Sequence, residues 1–273
     1  MADNKNKERK ELDMGVDTIT QMVPHLKDKV SEEEWAVRVD LAACYQLVAH
    51  FEMSDLIFTH ISARIPGTHD QFLINPYGLF FDEITASSLV KVDIDGKVLD
   101  ETDFFINPAG YTIHSAVHGA RHDVDCVLHT HTVAGMAISA QKQGLLPLSQ
   151  HSLMFYNRLA YHGYEGIALN LDERERLVRD LGEESIAMIL RNHGLMTVGR
   201  SVAEAFRRIF YLEKACQAQI QALSGGAEVI IPPKEVCETA VNQFKNVGES
   251  RPDVLEWDGL LRILDRKGSN FRH

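Results

Sequence analysis

The hydrophobic period of this chain changes several times along its length, and those changes limit the fold more than any other feature. After Ser31, the residues Val37, Leu41, Cys44 and Val48 recur at spacings of four, three and four, the stripe of a helix that buries one face. The run SEEE that opens it reads as a capping box, in which Ser31 accepts the Glu34 amide and the Glu34 side chain reaches back to the Ser31 amide. From about Leu56 to Leu99 the period falls to two, in short β-type runs broken by Pro66-Gly67, Asn75-Pro76 and Gly78. Val90, Val92 and Ile94 alternate with Lys91 and Asp93 and lead into Asp95-Gly96, a pair suited to a type I′ hairpin.

The alternation continues through the middle of the chain. Ile113, Ala116, Val117 and Ala120 mark a short amphipathic helix, and CVLHTHT from Cys126 reads as a buried strand. Thr132 is placed to cap a helix through VAGMAISA, which Gly144 to Pro147 ends. IAMIL (186–190) is a second core strand, and Arg191-Asn192-His193-Gly194 is a turn into a paired strand, LMTV. Ser201 and Glu204 form a second capping box before the longest helix, whose apolar face is Phe206, Ile209, Leu212, Cys216, Ile220 and Leu223 and whose stop is Gly225-Gly226. Capped helices interleaved with short, largely antiparallel strands imply an α/β class with one central sheet. The expected organisation is a polar arm over residues 1–30, with at most a short helix around Met14 to Met22, one domain over 31–226, and a C-terminal extension over 227–273. That extension has a short helix near Glu235 to Phe244, and its Trp257, Leu260, Leu261 and Ile263 call for packing against this chain or a neighbouring one.

Charge excludes some partners. With 28 Lys+Arg against 39 Asp+Glu in 273 residues, the formal charge is −11, so neither nucleic acid nor an anionic membrane surface is an expected partner. The one dense basic stretch, Lys5 to Lys10, is diluted by Asn and Glu. The cysteines Cys44, Cys126, Cys216 and Cys237 lie far apart without CxxC spacing, and the first residues hold no apolar stretch for export, which together lead to an expectation of reduced thiols in a cytoplasm.

Chemistry concentrates in histidine. His129 and His131 stand two apart in a strand, so both imidazoles leave the same sheet face in a chelating arrangement. A facial site needs a third ligand, and His193, in the turn after a core strand, is the best candidate on spacing. Three neutral imidazoles with an open position suit catalytic Zn²⁺, and the same set would also take Fe, Mn or Co.

From about Leu41 to Gly226 the chain resembles the class II aldolase/adducin domain family, and within it the adducin head. The stretches that carry the likeness are HISARI at His60, LINPYGLFFDEITASSLVKVD, NPAGYTIHSAVHGARHDVDCVLHTHT, GLLPLSQ and LRNHGLMTVGRSVAEAF. The resemblance implies a single three-layer α/β/α domain with a mostly antiparallel sheet, a tetramer with active sites near subunit contacts, and a metal triad at His129, His131 and His193. It does not carry over the acid. Sugar-phosphate aldolases of the family have a glutamate four residues before the histidine matching His114, and that position is Gly110. Their phosphate cradle is changed as well. Thr59-His60 replaces Gly-Asn, and Pro108-Ala109 replaces paired serines, Pro108 lacking an N–H altogether.

His151, after GLLPLSQ, is the first candidate for a replacement acid or base. Behind it stand Tyr111, His114, Tyr161, His162, Tyr164 and Glu165, while His118, His122 and Glu83 are expected to be structural. The expected function is that of a metal-dependent lyase acting on a small hydroxy-carbonyl compound. The alternative is a non-catalytic, adducin-like cytoskeletal module, although this sequence shows no Lys-rich, Ser-rich tail like that of adducin.

Overall fold

Seven strands form one mixed sheet: β1 (His60–Arg64), β2 (Gln71–Ile74), β3 (Val90–Asp93), β4 (Cys126–Thr130), β5 (Leu159–His162), β6 (Ala187–Leu190) and β7 (Gly194–Gly199). Their spatial order is β3-β2-β1-β4-β7-β6-β5, and every pairing is antiparallel except the parallel β5–β6 pair. The structure is a computed structural model that describes residues 23–166, 172–246 and 252–273; the helix expected at Met14 to Met22 lies outside them.

Strand alternation separates two cores. Cys126, Leu128, Ala187, Ile189 and Leu195 face a layer made by α1 (Glu32–His50), α3 (Val133–Ser139) and α6 (Val202–Ser224). Val127, Met188, Leu190, Met196 and Val198 face the other way, onto Ile113 and Val117 of α2 (Pro108–Ala120) and Leu177 and Leu181 of α5 (Glu173–Leu181). The result is the three-layer α/β/α arrangement. The helix α4 (Gln150–Leu153) packs on α6 in the first layer.

Both expected capping boxes form by half. Ser31 Oγ accepts the Glu34 N–H at 3.1 Å, but the Glu34 carboxylate is drawn off by Arg38 at 2.9 Å and Lys91 at 2.6 Å, because charge pairing inside the fold outweighs a return to the cap amide. Ser201 likewise accepts from Glu204 N–H, while Glu204 Oε2 accepts the amide of Arg200 at 2.7 Å, one residue before the cap. The turn at Asp95-Gly96 is not type I′, since only Gly96 takes a positive φ, 86°. The Gly96 amide donates to Asp93 C=O, and Asp93 Oδ1 accepts the amides of Asp95 and Lys97, so a type I turn followed by a left-handed glycine closes the hairpin.

The helix expected from Ile113 begins five residues earlier, at Pro108, whose fixed φ and missing N–H suit a first turn. Strand β5 and helix α5 have no counterpart in the expectations. After Gly226, α7 (Lys234–Asn246) and α8 (Pro252–Arg266) follow. Trp257 of α8 is buried against Phe206, and its indole N–H donates to Asp40 Oδ1 at 3.0 Å, so this stretch packs on its own chain. No helix among the described residues is long and apolar enough to cross a membrane.

Candidate metal centre

One end of the sheet gathers the histidines. His129 is the fourth residue of β4, His131 follows that strand, and His193 closes the turn between β6 and β7. Their ring atoms meet. His129 Nε2 lies 2.8 Å from His131 Nε2, which lies 2.8 Å from His193 Nε2. These three are the one group among the described residues that brings three such donors within 4.8 Å of each other.

The far sides of the rings fix which nitrogen carries the proton. His129 Nδ1 is 2.9 Å from the carbonyl of Leu195, an acceptor only, so Nδ1 donates and Nε2 is bare in the neutral ring. His131 Nδ1 stands 2.9 Å from Asp55 Oδ2 and is fixed in the same tautomer by a carboxylate. Ring nitrogens 2.8 Å apart need a positive charge between them, a proton or a metal ion, and three of them converging on one point fit a metal ion. Burial, reinforced by His193, His131 and His60, holds His129 well below the usual imidazole range. Burial and His131 lower His193 to about 4, so both rings are neutral at physiological pH, the form in which an imidazole can bind a metal.

Glycine makes the close approach possible. A Cβ on Gly194 would lie 2.4 Å from the Thr130 carbonyl and 3.2 and 3.3 Å from the rings of His131 and His129, so β7 passes the ligands only without a side chain there.

His60, the first residue of β1, sits directly across from His129 in the ladder and shares its sheet face. Its ring fills the space beside Gly110: a Cβ at Gly110 would lie 2.3–2.5 Å from three ring atoms of His60. Absence of a carboxylate at position 110 and presence of an imidazole at position 60 are thus one packing solution. Burial, with His131 and His193 nearby, lowers His60 to about 3, and both of its ring nitrogens are buried without a hydrogen-bond partner among the described residues. The hydroxyls of Thr59 and Thr130 are buried and unpartnered at the same sheet end. Thr59 also holds φ at 68°, a conformation costly for a β-branched residue, at the position where the resemblance has glycine.

The remaining candidates scatter. His151 is exposed on α4 with its ring 4.9 Å from Tyr211, and it is not part of the three-histidine group. His114 and His118 share Ser62 Oγ at 2.6 and 2.7 Å, as structural histidines would. His122 meets the ring of His69, and Glu83 accepts the Phe80 amide as a cap. Tyr111 donates to the carbonyl of Ile94. Tyr161 accepts the Leu145 amide, His162 lies between Asp180 and Glu173, and Glu165 pairs with Arg176. Tyr164 is exposed with its ring 6.4 Å from that of His193, and His162 and Glu165 line a small pocket together with Tyr164 and His193.

Asp55 was not foreseen as a site residue, and His60 was expected only as a changed position of the phosphate cradle. Asp55 lies 76 positions from the ring it orients, with no local pattern to mark it. His60 becomes visible only when β1 is known to flank β4.

Comparison with known proteins agrees with this architecture. A crystal structure of an aldolase II superfamily protein from Pseudomonas syringae superposes with a TM-score of 0.87 at 56% identity, covering 91% of this chain and 99% of that one. The L-fuculose 1-phosphate aldolase from Glaciozyma antarctica PI12 superposes at 0.77 with 28% identity, over 89% of this chain and 93% of that one. Alpha-adducin of Rattus norvegicus is 40% identical over 248 residues, which are 86% of this chain and 34% of adducin. The family described as Class II Aldolase and Adducin N-terminal domain matches residues 39–220, and this chain belongs to it.

Proposed function

We propose that the chain is a metal-dependent lyase acting on a small hydroxy-carbonyl compound, with zinc as the ion and His129, His131 and His193 as its ligands. The carrying observation is the convergence of three Nε2 atoms, two of them on rings whose Nδ1 protons are committed to Leu195 and Asp55. Three imidazoles with an open position favour zinc, although iron, manganese or cobalt would find the same donors. A divalent ion there supplies Lewis acidity, withdrawing charge from a bound hydroxy-carbonyl oxygen.

The protein's own groups would do the rest. Leu195 and Asp55 hold two ligand rings in the binding tautomer. His60, neutral and unpartnered, offers an N–H to a ligand oxygen in the place where a carboxylate cannot fit, and so acts as a hydrogen-bond donor more readily than as a base. Pro108 at the start of α2 has no amide to give a phosphate, which supports a substrate without phosphate at this end.

Assembly into a homo-oligomer, a tetramer on the family resemblance, is supported by exposed Leu56, Phe58, Val133 and Tyr164, which adjoin Asp55, His131 and His193. The four buried free cysteines are consistent with a cytoplasmic protein. Similarity to alpha-adducin favours a second reading, a cytoskeletal module without catalysis.

A retro-aldol screen of the zinc-loaded chain with phosphorylated and unphosphorylated hydroxy-carbonyl compounds separates the two. The expected result is cleavage of an unphosphorylated compound, lost on chelation and in His193→Ala. No turnover, together with saturable cosedimentation with actin filaments that chelation leaves unchanged, would assign the module instead.

A further inference from the structure

At the opposite end of the sheet lies a cavity of about 500 Å³ with a different chemistry. Arg158 precedes β5, Ile186 precedes β6 and Arg200 follows β7, and the three line it together with the first turn of α6 and the adjoining ends of α7 and α8. Five of its lining residues are cationic: Arg158, Arg200, Arg207, Arg208 and Lys245. Among the described lining residues only Glu204 and Asp253 are acidic.

The acids are not free to balance this set. Glu204 is taken by Arg208 and by the amide of Arg200. Arg207 is paired outside the lining set, with Glu256 at 2.8 Å. Glu204 and Glu184 act on Arg158, and Asp123 on Arg200, only through space. Neither arginine side chain has a direct hydrogen bond or ion pair among the described residues, so two guanidinium groups line the cavity without a direct partner, on a chain whose net charge is −11. Burial also pulls Arg158 below its ordinary value and Arg208 down to about 10, which an anion would reverse. The 23-residue helix α6 starts at the same place with Ser201 as its cap, and its first amides add donors for an anion.

We infer that this cavity is a binding site for a phosphorylated small molecule, its phosphate held by Arg158 and Arg200. Planar guanidinium forks match phosphate oxygens two at a time. The volume falls within the range of small-molecule sites, and Met154, Ile186 and Phe244 give an organic body apolar contact. It is a second site and not the phosphate end of a metal-bound substrate: β7, which runs from Gly194 beside His193 to Gly199 before Arg200, separates the two by roughly 17 Å at about 3.4 Å per residue.

Isothermal titration calorimetry of the full chain with inorganic pyrophosphate at low ionic strength tests this. One saturable site per chain is expected, weakened at least about tenfold by Arg158→Ala and by Arg200→Ala, as befits loss of a charged hydrogen-bonding pair. Arg158→Lys should fall between wild type and alanine. The site should persist in His129→Ala, because pyrophosphate captured by a metal would be lost there. Arg200 is exposed and unpaired, so its alanine variant folds and reports even where Arg158→Ala does not. Absence of saturable binding, binding that disappears in His129→Ala, or binding unchanged in Arg200→Ala would each overturn the inference. A sedimentation coefficient that drops in Arg200→Ala without any pyrophosphate binding would assign the cations to a contact between copies.

Discussion

The two ends of the sheet hold opposite kinds of unsatisfied charge. At one end, three imidazoles bring their Nε2 atoms together in an arrangement that could hold a cation. At the other, unpaired guanidinium groups line a cavity and require an anion. The same strands serve both, since β7 carries His193 before its first residue and Arg200 after its last, and β4 and β1 bring His129 and His60 side by side. The side chains' own chemistry explains the difference. Burial removes the charge from a histidine, whose pKa lies within reach of neutrality, whereas an arginine keeps its charge, whether half-buried as Arg158 or exposed as Arg200, and attracts an anion.

The largest effect expected from breaking the orientation of the histidine end is at Asp55. Asp55→Ala frees the His131 ring to rotate and change tautomer, and should weaken metal affinity about 10–100-fold without unfolding the chain, measured by competition with a chromophoric chelator. The same substitution should leave pyrophosphate binding at the arginine end unchanged.

The His60–Gly110 contact comes next. Gly110→Ala forces a methyl group to within 2.3 Å of the His60 ring and should cost about 1–3 kcal/mol in denaturant unfolding. In a His60→Ala background the penalty should vanish or reverse, because alanine is otherwise the better helix residue by about 0.5–1 kcal/mol. Additive losses in the double variant would show that the two residues do not share that space.

Acid separates the ends more gently. His60 and His118 are both lowered to about 3 by burial, so between about pH 6.5 and 3 the unfolded chain binds protons that the folded chain refuses. Stability is then full above pH 6.5 and falls as pH drops through that window, by up to about 1.4 kcal/mol per pH unit for each such histidine. His118→Gln, which can still bond Ser62, should flatten the slope of unfolding free energy against pH. The Arg200 guanidinium does not itself titrate there, and Arg200→Ala should change the profile only slightly, through Asp123, the smallest effect of the series.

How much of this was legible in the sequence follows from what each signal depends on. Helix starts at Ser31, Thr132 and Ser201, the strands around His129 and Met188, and the turn at His193 are local patterns, and the structure has them. Their second partners were not local. Glu34 and Glu204 leave their boxes for arginines brought in by helical spacing and, at Glu34, for Lys91, 57 residues away. The pair His129 and His131 could be placed on one face by strand period alone, but their meeting with His193 needed the β4–β7 ladder. Asp55 and His60 needed the β1–β4 ladder and the loop before it, and the clash at Gly110 is written in no single segment. The arginine cavity is the extreme case, because Arg158, Arg200 and Lys245 come from three separate elements and look like ordinary surface charge along the chain.

Elemental analysis of the gently purified chain tests whether His129, His131 and His193 form a metal centre. About one divalent ion per chain is expected in the wild type and none in His193→Ala, with both proteins folded by circular dichroism. A wild-type chain that stays metal-free after incubation with zinc, or a His193→Ala variant that keeps its full complement, would contradict it.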